Sequence, residues 1–334
     1  MSRRKIFWGA AQTDLVPKGG AAGARPPISP DRRQLRRNTV CYARGLRHLT
    51  GMPTTRLRFV TFNVAHGRGL TPIQGLTSRR KIQSNLLKIA DLLNELRPDF
   101  VALQEIDEHS RWAGNFDHLE FLQCHAHFPY AVFGITTRRE GLLNLRYGNA
   151  LLSRHPIVES ECVTFGQRRI GEKGFLYAEF DVRGRRVPII NLHLHYRSRV
   201  HRFWQLDRLI AWLALKQQVR GPLWHMPPVI CGDFNTPRTR ADATASLLSH
   251  LRHFGEYTLH PQHGRTFPSP WPRRTVDFVF LPPACRHPRD EVVRAMLSDH
   301  RPVLVEFALG PSAAVTAPEP SRPVAEVVKK AGVF

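Results

Sequence analysis

A chain of 334 residues with 42% hydrophobic content and six Trp is long enough and apolar enough to bury a substantial core, which excludes a wholly disordered polymer. A formal net charge of +22 excludes an acidic interaction module and suggests a polyanionic partner, whether nucleic acid, an anionic lipid surface or a phosphorylated substrate. Of the 49 basic residues 41 are Arg, a bias that GC-rich coding alone can produce, and residues 1–54 hold a disproportionate share of the excess.

Residues 1–54 combine GGAAGARPPISP with scattered Arg and show neither a helical nor a strand period. That composition predicts a disordered basic extension. Order is expected from about Arg56. Arg58–Phe62 alternates as a strand and delivers Asn63 at its end. Ile82, Leu86, Ile89, Ala90, Leu93 and Leu96 then keep one apolar stripe at helical spacing, with Ser78 as the cap and Pro98 as the stop. Phe100–Leu103 is a buried strand finishing in Gln104 and Glu105.

Short strands are predicted at Tyr130–Phe133, Ala150–Ser153, Val158–Thr164 and Tyr177–Val182, the last pairing with Arg186–His193 across a turn at Gly184. Phe203, Leu206, Ile210, Leu213 and Ala214 outline a second long helix. Val229-Ile230-Cys231 is a third buried run, Ala241–His253 a further helix, and Val276–Leu281 and Pro302–Leu309 the closing strands. Residues 311–334 read as a tail, leaving 55–310 as one domain. Hairpins interleaved with helices predict an α/β sandwich rather than a parallel doubly wound sheet.

Five Cys (41, 124, 162, 231, 285) show no CxxC or other ligand spacing, and Cys231 belongs to the core. A reducing cytoplasm fits. No stretch is apolar for long enough to span a bilayer. MSRRKIFWGAAQTD lacks the sustained apolar region of a secretory signal. Trp224 and Met226 can form either a small exposed patch or part of the core.

The stretch VICGDFNTP (229–237) carries the chemistry. On an extended chain Asp233 and Asn235 point one way while Phe234 packs behind. A carboxylate can then take a proton from water and an amide can hold an oxygen. Taken alone, the same residues also read as a capped turn. Gly232 is expected to let substrate approach a bare backbone.

Other polar residues recur at strand ends: Asn63, Glu105, Asn149, His193, Asp277 and the pair Asp299-His300. Glu105, Asp299 and Asn63 form an oxygen-only set suited to Mg²⁺ or Mn²⁺. His193 and His195 of NLHLH would share one side of a strand. No His/Cys cluster suggests structural zinc.

TFNVAHG (61–67), VALQEID (101–107), YGNALLSRHPI (147–157), NLHLH (191–195), VICGDFN (229–235), TVDFVF (275–280) and LSDHRPV (297–303) occur in this order. Together they resemble the endonuclease/exonuclease/phosphatase, or DNase I-like, superfamily. TFNVAHGRG, RTFPSPWP (265–272) and HRFWQL (201–206) are most similar to bacterial metal-dependent hydrolases of uncertain substrate. The resemblance implies a four-layer α/β sandwich of two packed mixed sheets flanked by helices.

It also implies roles. Glu105 would be the principal Mg²⁺ (or Mn²⁺) ligand, with Asn63 and Asp299 completing or orienting the metal site. Asp233 would activate water for in-line attack on phosphorus, and Asn235 would hold a phosphate oxygen. His300 would stabilise developing negative charge with Asp277 as its carboxylate partner. His193 would act at the phosphate or leaving group, and Asn149 would touch substrate. The implied activity is a metal-dependent phosphoesterase acting on nucleic acid, phospholipid or a small phosphate ester. A different class is a non-catalytic phosphate-binding or scaffold protein that retains the fold. It predicts decay at the acid, base and metal positions, and those positions are intact here.

Overall fold

The computed structural model of the chain describes residues 56–141, 144–166, 171–220, 226–236 and 242–310. The expected basic extension (1–54) and the expected tail (311–334) lie outside the described residues.

Among the described residues, twelve strands form two six-stranded mixed sheets. β1 (Arg56–Asn63), β2 (Phe100–Asp107), β3 (Tyr130–Arg139), β4 (Leu145–Ser153), β11 (Cys285–Val292) and β12 (Val303–Leu309) make the first, in the order β11-β12-β1-β2-β4-β3. β5 (Ile157–Thr164), β6 (Gly174–Val182), β7 (Arg185–His193), β8 (Val229–Asp233), β9 (Thr258–His260) and β10 (Asp277–Leu281) make the second, in the order β5-β6-β7-β8-β10-β9.

The apolar runs of the central strands follow from burial on both faces. In β1, Phe59 points between the sheets, where it meets Phe100, Phe180, Ile189 and Phe307. Its neighbour Val60 points the other way. There it joins Ile82, Leu86, Ile89 and Leu93 of α1 (Arg79–Leu96) and Leu119 and Leu122 of α2 (His118–His125). On the far side Ile190, Ile230 and Phe278 pack under Leu206, Leu209 and Leu213 of α3 (Arg199–Arg220) and Leu247 and Leu251 of α4 (Ala243–Leu251). Helix, sheet, sheet, helix: this is the four-layer DNase I-like sandwich.

The termini of α1 follow local chemistry. Ser78 Oγ accepts the Lys81 N–H at 3.4 Å, and Arg97 turns left-handed (φ 48°) to return its N–H to Leu93 O before Pro98 ends the helix. The β6–β7 hairpin turns at Gly184 (φ 82°), as expected. Met226 is buried between the sheets, so it packs in the core, while Trp224 lies outside the described residues. Cys124, Cys162, Cys231 and Cys285 are all free thiols. No helix among the described residues is long and apolar enough to cross a membrane.

Two features correct the sequence reading. β2 runs on to Asp107, because a bulge at Glu105 (φ 53°), between Gln104 and Ile106, lets the ladder resume instead of ending it. Gly232 has φ 135°, and a Cβ there would lie 1.9 Å from Leu192 O of β7. Close passage of the neighbouring strand, not approach of a substrate, demands that glycine.

Candidate active site

Register alone lines up half of the site. His193 ends β7 beside Asp233 at the end of β8, and Asp233 stands opposite Asp277 at the start of β10. Three neighbouring strands thus deliver an imidazole and two carboxylates side by side on one rim. The same rim of the first sheet presents Asn63 of β1 beside Gln104 of β2, with Asn149 of β4 next across.

A polar belt under this rim ties the sheets together. The Asn191 amide donates to Leu103 O (2.8 Å) and Ala150 O (2.9 Å), and Gln104 Nε2 donates to Asn191 Oδ1 (2.7 Å) and Thr61 Oγ1 (3.1 Å). Asn149 belongs to the belt: its amide donates to Gly174 O and Asn191 O, and it is not among the cleft-lining residues. Both amide hydrogens of Asn149 thus serve the strands.

His300 links the two acids of the second sheet. Its Nδ1 lies 2.9 Å and 3.0 Å from the Asp277 oxygens, and its Nε2 lies 3.7 Å from Asp233 Oδ2. Phe267 packs against the ring at a centroid distance of 4.8 Å. Burial works against charge on this imidazole, but Asp277 and then Asp233 outweigh it and push its pKa up to about 10. Asp233 is pushed up to about 7, first by burial and then by Asp277, against the pull of His300. Its oxygens are also held, Oδ2 by Asn63 Nδ2 (3.0 Å) and Oδ1 by the Asn235 N–H (2.8 Å).

Phe234 packs into the core behind this point, as expected. Asn235 reaches the cleft by a left-handed turn (φ 53°) rather than by strand alternation. One of its amide hydrogens goes to Leu194 O at 3.0 Å, and the other is left for a ligand.

Glu105 faces this array from the first sheet. Burial would raise its pKa, but His66, Lys173 and His193 bring it below the usual carboxylate range. His66 Nε2 stands 3.5 Å, Lys173 Nζ 3.7 Å and His193 Nε2 3.9 Å from its oxygens, at or beyond hydrogen-bond length. The Glu105 lone pairs are therefore open to a hard cation.

Asn63 Oδ1 accepts the Ala65 N–H at 3.0 Å, and Asp299 Oδ2 accepts from Arg68 at 2.7 Å. Both are oriented yet keep a lone pair. The donor set fits Mg²⁺ or Mn²⁺ chemically. Asp233, Asp277 and His300 also offer ligand atoms within 4.8 Å of one another, enough to hold a metal ion.

The cleft brings together Asn63, Glu105, His193, Asp233, Asn235, Asp299 and His300, with Asp277 directly behind His300. His195 lines it too, though β7 ends two residues earlier; its Nδ1 accepts the N–H groups of Arg197 and Ser198. Among the lining residues that escaped the sequence reading are three that can carry positive charge: His66, Arg68 and Lys173. His66 sits in TFNVAHG and is held by Asp107 through Nδ1 (2.7 Å), while Trp112 Nε1 donates to the same carboxylate. Its position in TFNVAHG was the available signal. Lys173 had none.

Strand-end acids, imidazoles and amides thus line one cleft between two packed sheets. Residues 60–300 match the model of the Endonuclease/Exonuclease/phosphatase family, and the chain belongs to that family, a family of phosphoesterases.

Solved structures share the fold. An endonuclease/exonuclease/phosphatase from Beutenbergia cavernae is 21% identical with a TM-score of 0.60, over 77% of this chain and 72% of that one. Sphingomyelinase C from Streptomyces griseocarneus is 21% identical with a TM-score of 0.56, over 76% and 99%. Truncated TDP2 from Caenorhabditis elegans is 14% identical with a TM-score of 0.51, over 76% and 97%. No curated protein sequence is significantly similar to the chain.

Proposed function

We propose that this chain is a divalent-metal-dependent hydrolase that cleaves a phosphodiester or phosphomonoester by in-line attack of water. The observation that carries the reading is the Asp277–His300–Asp233 array, set across the cleft from the open carboxylate of Glu105. Glu105, assisted by Asn63 and Asp299, would hold Mg²⁺ or Mn²⁺, which when bound neutralises phosphoryl charge.

The chain's own residues do the rest. Asp233, poised near neutrality, accepts the proton of the attacking water. His300, kept cationic by Asp277, faces the negative charge that develops on phosphorus. Asn235 offers its second amide hydrogen to a phosphate oxygen. His193, whose pKa burial and then Lys173 hold well below the ordinary histidine value, sits 3.4 Å from Asp233 and serves the phosphate or leaving group. Asn149 acts from below by holding β6 and β7 in place.

The test is hydrolysis of bis-p-nitrophenyl phosphate with Mg²⁺ or Mn²⁺, comparing wild type with Asp233→Ala. Metal-dependent turnover lost in the variant is expected; equal, metal-independent background in both would refute the enzyme reading. The substrate slot lies between nucleic acid, anionic phospholipid and a small phosphate ester, and a panel of plasmid DNA, abasic duplex, sphingomyelin, phosphatidylglycerol and inositol phosphates decides among them. Activity on DNA that falls steeply with salt would indicate that the basic surface contributes to binding.

A further inference from the structure

Several cationic side chains line the cleft, and most are tightly engaged. Arg68 is bound to Asp299 at 2.7 Å, and His300 is bound to both oxygens of Asp277. Lys173 is different. Its Nζ lies 3.7 Å from Glu105 Oε1, too far for a hydrogen bond, and 3.1 Å and 3.0 Å from the two ring nitrogens of His193. An ammonium has three hydrogens to donate. A neutral imidazole accepts at most one of them, and Glu105 pairs with the charge only loosely, at 3.7 Å. The side chain is nevertheless mostly shielded, at 15% exposure. Such a group, desolvated and incompletely matched, is held ready for an anion.

Its placement has a backbone cause. Gly174 pairs with His193 at the last rung of β6 and β7, so Lys173 stands one residue past the ladder and beside that imidazole. Gly174 has no room for a side chain, since a Cβ would lie 2.4 Å from Val163 O of β5. The chain entering Lys173 is thus clamped, and the four-carbon stem runs from a defined point into the space between Glu105 of the first sheet and His193 of the second.

We infer that Lys173 contacts the phosphate group of the substrate, its ammonium filling the space between Glu105 and His193. A built-in ammonium there leaves room for one metal ion on Glu105. This inference rests on the proposed phosphoesterase function. It makes opposite demands on two ligands. An ammonium 3.7 Å from Glu105 repels a cation bound there and attracts an anion bound beside it. A residue that only supported the fold would affect both ligands in the same direction.

The test uses Lys173→Met and Lys173→Arg in the full chain, with thermal melting to establish that each folds. Mn²⁺ binding is measured by calorimetry without substrate, and inorganic phosphate is measured as an inhibitor of bis-p-nitrophenyl phosphate hydrolysis. Wild type should bind one Mn²⁺ per chain. Lys173→Met should bind Mn²⁺ more tightly while its affinity for phosphate falls roughly tenfold or more, the scale of one lost charged hydrogen bond. Lys173→Arg should recover much of the phosphate affinity. Two Mn²⁺ ions in the wild type, unchanged phosphate affinity in Lys173→Met, or a loss of both affinities would overturn the role of Lys173. A wild type that neither binds Mn²⁺ nor hydrolyses the diester would instead overturn the phosphoesterase reading itself.

Discussion

Asp233 and Asp277 are partners in the β8–β10 register, and one imidazole, His300, stands between their side chains, 2.9 Å from Asp277 and 3.7 Å from Asp233. Two buried carboxylates so close would repel if both were ionised. The imidazole lies between them, and in the proposed mechanism Asp277 is its partner while Asp233 is the group that exchanges a proton.

Replacing Asp233 with Asn keeps the shape and removes the base. Turnover should fall about 10²- to 10⁴-fold, the usual contribution of a positioned base. Steady-state kinetics at saturating metal, with circular dichroism to confirm the fold, checks it.

The pH profile follows from the same array. The rate should rise as Asp233 ionises, at or below about 7, and fall as His300 loses its proton near about 10. The folded pKa of His300 is raised, so its contribution to stability is complete below the ordinary histidine value and is lost as pH rises through about 10. Asp277→Asn removes the main cause of that elevation. Its alkaline limb should move down toward neutrality, and its stability should no longer decline over that alkaline window; rate profiles and urea midpoints at several pH values measure both.

Chelation should abolish turnover, and Mg²⁺ or Mn²⁺ should restore it. Glu105→Gln keeps the side-chain volume but loses the charge, so activation should need at least about tenfold more metal. A metal titration of both proteins is the measurement, and an unchanged activation curve would assign the metal elsewhere, to the Asp233–Asp277–His300 group.

Asn191→Leu should destabilise the fold by about 3 kcal/mol, because the buried Leu103 O and Ala150 O lose a donor and Gln104 Nε2 loses an acceptor. Urea denaturation gives the value directly. Asn191 is itself outside the cleft lining, so a loss of activity in the folded variant reports misplacement of the rims it joins.

Much of this was legible in the sequence. The apolar runs ending at Asn63, at Gln104-Glu105, at His193 and at Asp233 identify strands buried on both faces, and their polar ends identify the rim. The stripe of α1 and its Ser78 cap were equally plain. What stayed hidden depends on contacts between distant segments. β11, CRHPRDEV, is a charged edge strand whose exposed face and bulge erase any alternation. α2 has eight residues, too few to display a period, and β9 has three. Lys173 looks like any surface lysine until the first sheet brings Glu105 against it. The left-handed turns at His66, Glu105 and Asn235 aim three cleft residues, and none carries the glycine that would announce such a backbone.

The belt of Asn191 and Gln104 joins two halves of the proposed reaction centre, since Glu105 and Asn63 ride on one sheet and His193, Asp233 and Asp277 on the other. Catalysis is thereby made a gauge of alignment. A slip of about 1 Å between reacting groups can cost about a hundredfold in rate, far less movement than unfolding requires. Heat, or an oversized side chain placed between the sheets near Ala102 or Ala178, should therefore silence the protein while its strands are still intact.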